Sequence, residues 1–277
     1  DDLNSFAFFV IMLAWLEHGF RQNNLVIAEP EAKAKPAMGV KIMAALGILI
    51  LFYAVYNFNY KVAEAAKLSA YAYMSSDFTQ SINYYNQALA LNIVSGENVT
   101  VNYADYLSGL SDQLNEIKAV PEKAALFGQS LKNVRQALIA DLKLKPADAF
   151  LYMKFAKLNN VEYLFYNDEK YAAEAVANAK QGISLSPGRV QIYFILGETY
   201  IISGQTGLAI DTLRQAVGLN PNFGDAYYYL GRAYLAAGQL NQAYDNMVTQ
   251  AIQTRSYNPP NSLILLTLAG DLSDKND

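Results

Sequence analysis

The sequence predicts an all-α protein in which membrane helices lead into a stack of helical hairpins. Three observations carry that prediction. First, residues 190–247 hold one pattern twice: Tyr193, Leu196, Gly197, Tyr200, Gly204, Gln205 and Ala209 return 34 positions later as Tyr227, Leu230, Gly231, Tyr234, Gly238, Gln239 and Ala243. A fixed period of this length means hairpins that stack because none buries its apolar face alone. Second, residues 37–56 (AMGVKIMAALGILILFYAVY) contain one charge, Lys41, and about 20 apolar residues are what a bilayer core requires. Third, no long stretch alternates with period two, so no strands are expected.

Residues 1–60 are expected to form the membrane region. Residues 3–16 (LNSFAFFVIMLAWL) predict a helix over about 2–17, ending near Trp15 and His18 as an interfacial finish. A loop over 18–36 follows. It carries Arg21, Lys33 and Lys35, with Lys41 just beyond, against Glu29 and Glu31. That basic excess puts the loop on the cytoplasmic side and the hairpins on the other. A second helix is expected over 37–60, with Tyr53, Tyr56 and Tyr60 at the far end, where rings favour the interface. These segments account for a charged fraction of 17%, against roughly 25% in soluble domains. The chain starts at Asp1, inside an apolar segment and without Met. It therefore reads as the C-terminal part of a longer polytopic protein.

Residues 61–257 are expected to form the stack. Residues 61–77 continue the helix. Asp77 opens the next one, in which Ser81, Tyr85 and Ala88 stand at small, aromatic and small core positions, opposite Leu68-Ser69. One helix is predicted over 98–118. Pro121 suits the first turn of another, which runs to about residue 144 and stops at Pro146. Pro146 and Pro187 stand 41 residues apart, so this hairpin is lengthened, with helices over about 148–166 and 168–185; Asp168 gives a partial capping signature. In the two repeats, Gly197, Gly231, Ala209 and Ala243 are small because helices cross closely there. Gly204 and Gly238 supply left-handed caps, and Pro187 and Pro221 separate hairpins. Residues 258–277 are expected as a capping helix and a charged tail.

The order Tyr193, Leu196-Gly197, Tyr200, Ala209, Leu213, Ala216, Pro221, followed by Tyr227, Leu230-Gly231, Tyr234, Ala243, Met247, resembles the tetratricopeptide repeat. The resemblance implies a TPR-like α-solenoid whose concave groove takes a protein or peptide. In the last two hairpins the groove face offers Gln191, Phe194, Glu198, Asp225, Tyr228 and Arg232, the predicted partner-binding residues. Aromatic and polar side chains together suit a peptide or a glycan. The Lys/Asn arrangement with which some family members grip a C-terminal carboxylate is absent, because Phe194, Glu198 and Tyr228 occupy those positions.

The layout as a whole includes Asp2-Leu3-Asn4-Ser5-Phe6 with Phe8-Phe9, a basic linker, one more span and then hairpins. It looks like the C-terminal end of O-antigen ligase-like membrane proteins that carry such repeats. That resemblance implies a membrane-anchored scaffold for protein–protein interaction in the bacterial cell envelope, at the inner or cytoplasmic membrane. Its partners would be protein or peptide, the lipid bilayer, and glycan or lipid-linked glycan. The parent's sugar-transfer residues would lie upstream, so no catalytic residue carries over to this chain. The alternative is a soluble scaffold of the same repeats, with no membrane or glycan role.

Composition narrows the rest. With no Cys there is no disulfide frame, thiolate metal site or cysteine nucleophile. A net charge of −4 does not favour nucleic acid. The single histidine, His18, has no partner nearby in sequence. Phosphate loops, H-E-x-x-H, nucleophile elbows and dinucleotide fingerprints are missing. No catalytic, metal or cofactor site is therefore expected. Asn98-Val99-Thr100 matches a glycosylation sequon, a triplet common by chance.

Overall fold

The computed structural model describes residues 38–91, 97–250 and 254. α1 (Met38–Val55) passes through a π-helical turn (Tyr56–Tyr60) into α2 (Lys61–Met74). Val55 and Tyr60, at the two joints, both keep right-handed helical dihedrals, so the rod is unbroken. There follow α3 (Phe78–Ala90), α4 (Glu97–Gly109), a 3-10 turn (Ser111–Gln113), α5 (Leu114–Ala119), α6 (Pro121–Leu144), α7 (Ala149–Tyr166), α8 (Glu169–Leu185), α9 (Val190–Ile202), α10 (Thr206–Leu219), α11 (Gly224–Ala236) and α12 (Leu240–Tyr244), the last prolonged by π turns (Asp245–Gln250). No strand occurs among the described residues. The fold is an all-α, TPR-like solenoid.

Helices pair as α2/α3, α4/α6, α7/α8, α9/α10 and α11/α12. The first helix of each pair touches the first helix of the next: α2 meets α4, α4 meets α7, α7 meets α9 and α9 meets α11. These five make the inner row, and the second helices lie outside it. Among the described residues two large apolar cores run through the stack, beside a small cluster of Ala65, Leu68, Ala88 and Val99. One spans α2 to α7 around Tyr103, Phe127, Leu131 and Leu158; the other spans α7 to the final π turns around Ile192, Leu213 and Met247. α7 is packed from both sides, since Leu151 and Leu158 belong to the first core and Ala156 to the second.

Local chemistry sets the helix ends. Asp77 accepts from the Gln80 N–H at 2.7 Å, Asp148 from the Phe150 N–H at 2.8 Å, and Asp168 from the Lys170 N–H at 3.1 Å. Each such cap is worth about 1 kcal/mol. α6 opens on Pro121. α9 and α11 close on Gly204 (φ 74°) and Gly238 (φ 73°). The Gln205 and Gln239 N–H groups reach back to the Tyr200 and Tyr234 carbonyls at 2.7 and 2.8 Å, the six-to-one bond of a Schellman end.

The close crossings are where the repeat puts its glycines. A Cβ on Gly197 would stand 2.5 Å from Leu213 Cγ. One on Gly231 would collide with the Met247 side chain and come within 3.1 Å of the Ala243 carbonyl oxygen.

Two expectations meet a different outcome. The helix predicted over 98–118 is two helices with a 3-10 turn between them. Gly109 weakens the helix there, and the chain turns so that Leu110, Leu114 and Ile117 are buried. A helix does occupy the region of the predicted span over 37–60. However, no helix among the described residues is long and apolar enough to cross a membrane. The helix expected over 2–17, the basic loop over 18–36 and the cap and tail over 258–277 fall outside the described residues.

Candidate functional site: the inner face of the stack

α9 and α11 lie side by side, so positions 34 residues apart face one another across the seam. Glu198 and Arg232 pair there at 3.3 Å, each about 30% exposed. Phe194 stacks on Tyr229 with centroids 4.6 Å apart, and also meets Phe223 at 5.8 Å. Tyr228 packs edge-on against Tyr229 at 5.8 Å. Phe194 and Tyr228 are only 5% and 6% exposed, so their rings mainly hold the two hairpins together. Burial pushes the Tyr229 hydroxyl up to about 12. Burial likewise raises Tyr228, with Arg232 opposing, and raises the Asp225 carboxyl.

The structure thus gathers Phe194, Glu198, Tyr228 and Arg232 around Tyr229. Gln191 is exposed one turn away, beside a hollow of about 570 Å³ that it shares with Phe150, Met153 and Arg189. Asp225 is half-buried and acts electrostatically on Tyr229. Sequence reasoning missed Tyr229. The run Tyr227-Tyr228-Tyr229 was the available signal, since three consecutive rings cannot all face one side of a helix.

Two other constellations on or under this face carry no repeat signature. Asp105 of α4 receives Lys154 at 2.6 Å and Lys157 at 3.4 Å, both from α7. Deeper, Arg135 of α6 joins Glu162 of α7 at 2.6 Å and also holds Glu174 of α8. Its guanidinium lies over the Phe155 and Tyr171 rings. The Asn159 amide donates to Glu162 at 2.8 Å, and the Asn178 amide donates to Asn159 at 2.9 Å. Burial raises the Glu162 carboxyl to about 7, against the opposing pull of Arg135 and Asn159. The run Leu158-Asn159-Asn160-Val161-Glu162, wholly buried, is the sequence trace of a helix enclosed by neighbours. Among the described residues no three His, Cys, Asp or Glu side chains come together as metal ligands do.

The family model for the tetratricopeptide repeat matches residues 200–245. This stretch runs from the end of α9 to the start of the last π turns. No curated protein matches the chain. Among solved structures, it is similar to TTC0263, a thermophilic TPR protein in Thermus thermophilus. The identity is 16% and the TM-score 0.46, over 75% of this chain and 98% of that one. It is also similar to MamA, with 22% identity and a TM-score of 0.36, over 65% of this chain and 89% of that one.

Proposed function

We propose that the chain is a scaffold that holds a protein or peptide partner along the inner row of helices and is anchored through α1 at a lipid bilayer. The carrying observation is the unbroken rod from α1 into α2. Ile42, Leu46, Leu49, Ile50, Phe52 and Tyr53 of α1 stay exposed, while α2 forms the inner wall of the first hairpin. Such an apolar surface calls for a non-aqueous neighbour. At its end Tyr56 and Tyr60 stack at 5.6 Å, and the Lys61 ammonium lies 5.3 Å over the Tyr56 ring; rings and a cation together suit a headgroup layer. Partner contact on the α9–α11 face is assigned to Gln191, Glu198 and Arg232, with Phe194, Asp225 and Tyr228 shaping the surface beneath. Placement of the hairpins outside the cytoplasm rests on the basic residues of the 18–36 segment. Descent from an O-antigen ligase-like parent, with lipid-linked glycan nearby, rests on the layout of apolar segments.

Flotation of the full chain with vesicles of zwitterionic and anionic phospholipid tests the anchor. The chain is expected to float, and Leu49→Lys with Phe52→Lys to leave it at the bottom of the gradient. A chain that stays monodisperse without detergent and never floats would return the soluble-scaffold alternative.

A further inference from the structure

Between α2 and α4 the inner face opens into a groove of about 980 Å³, at the upper end of the range for small-molecule sites. Ser69 and Tyr73 line it from α2; Asn98, Asn102 and Tyr106 line it from α4. Ser69 is 8% exposed, and its hydroxyl has no hydrogen-bond partner. A buried hydroxyl left unpaired costs about 1–3 kcal/mol, so its place against a groove calls for a polar occupant. Tyr73 is 84% exposed. Nothing in the packing of α2 requires a ring there, and a ring left in water is an unused contact surface.

The chemistry of the walls selects the occupant. Among the described residues Asp105 is the one charged group in the lining, and Lys154 and Lys157 already hold its carboxylate. Among the described residues the lining itself therefore supplies no lysine or arginine to draw in a phosphate or an acidic peptide, and no unpaired carboxylate to draw in a basic one. Their remaining polar groups are hydroxyls and side-chain amides, and each can both donate and accept. They match a ligand whose own polar groups do both, and Tyr73 and Tyr106 match one that also has an apolar ring face. We propose that this groove binds a neutral saccharide: sugar hydroxyls pair with Ser69, Asn98 and Asn102, and a pyranose C–H face lies on Tyr73. The site is separate from the α9–α11 face and does not rest on the reading given for it.

The test titrates the full chain, in micelles whose headgroups carry no sugar, against an array of uncharged tri- to hexasaccharides built from hexoses, deoxyhexoses and N-acetylhexosamines. Saturation-transfer NMR and calorimetry read the binding. At least one saccharide class is expected to bind with Kd of about 1 mM or tighter. Tyr73→Ala and Asn102→Ala, both at exposed positions, are expected to weaken it about tenfold each without changing the melting curve, while Arg232→Ala leaves it intact. The proposal is overturned if no member of the array binds, or if binding ignores Tyr73→Ala. It is equally overturned if uncharged peptides bind with Tyr73 dependence where saccharides do not.

Discussion

Raising the pH through neutrality should loosen the middle of the stack, and Glu162 is the reason. Its side chain is 2% exposed, with Arg135 at 2.6 Å and Glu174 competing for the same guanidinium. Desolvation outweighs the help from Arg135 and Asn159, so the carboxyl titrates near 7 instead of 4.5. Between these values the folded chain keeps a proton that the unfolded chain has released. The stabilisation is therefore complete below 4.5 and is lost as pH rises through 7. A carboxyl displaced that far corresponds to about 3 kcal/mol, or roughly 6–12 °C in Tm for a domain of this size. Thermal melts followed by helical circular dichroism, at fixed ionic strength between about pH 5 and about pH 8, measure it. Asp225 is raised as well, by burial, and acts in the same direction, so Glu162→Gln is the needed companion. It retains the shape and the acceptor for Asn159, and it should flatten most of the drop. A wild-type Tm that is level or rises across this window, or an unchanged drop in Glu162→Gln, would refute the reasoning.

Two further substitutions follow from the packing. Gly231→Ala should lower the denaturant midpoint by the equivalent of about 1–3 kcal/mol, because the added methyl meets backbone of the final π turns as well as Met247. Gly197→Ala should cost less, since the three atoms nearest the added methyl all belong to the Leu213 side chain and none to backbone; equal losses at both sites would contradict the crossing geometry. On the α9–α11 face, Tyr228→Ala should destabilise the last two hairpins by about 2–4 kcal/mol, as a buried ring would be lost. Arg232→Ala should leave the melt nearly unchanged and weaken partner capture in a crosslinking pull-down, and capture untouched by Arg232→Ala removes that residue from the contact.

What the sequence disclosed is what short spacing and steric necessity write into it. Gly197 and Gly231 recur because nothing larger fits opposite Leu213 and Met247. Pro121, Gly204 and Gly238 announce helix ends because the proline ring fixes φ and glycine alone takes the left-handed φ of 74° and 73° at no steric cost. The break at Gly109–Gln113 was not legible, since one glycine inside an apolar pattern is compatible with a continuous helix. Nor was the enclosure of α7. Asn159, Asn160 and Glu162 look like a solvated face, and their partners Arg135, Asn178 and Thr199 come from three other helices.

The candidate site shows the same limit. A 34-residue offset shows that Glu198 and Arg232 share a face, and they do meet. Whether Phe194 points into the groove or onto the next hairpin depends on Tyr229, which the repeat pattern does not mark. The α2–α4 groove needed Asp105 to be quenched by lysines about 50 positions away, a pairing with no local trace.

The uninterrupted passage from α1 through Tyr56–Tyr60 into α2 makes the leader a steering column. Heading is transmitted along it residue by residue, because an α-helix advances about 100° per residue. Deleting one position before Lys61 would swing every later hairpin through more than a quarter turn relative to whatever grips α1.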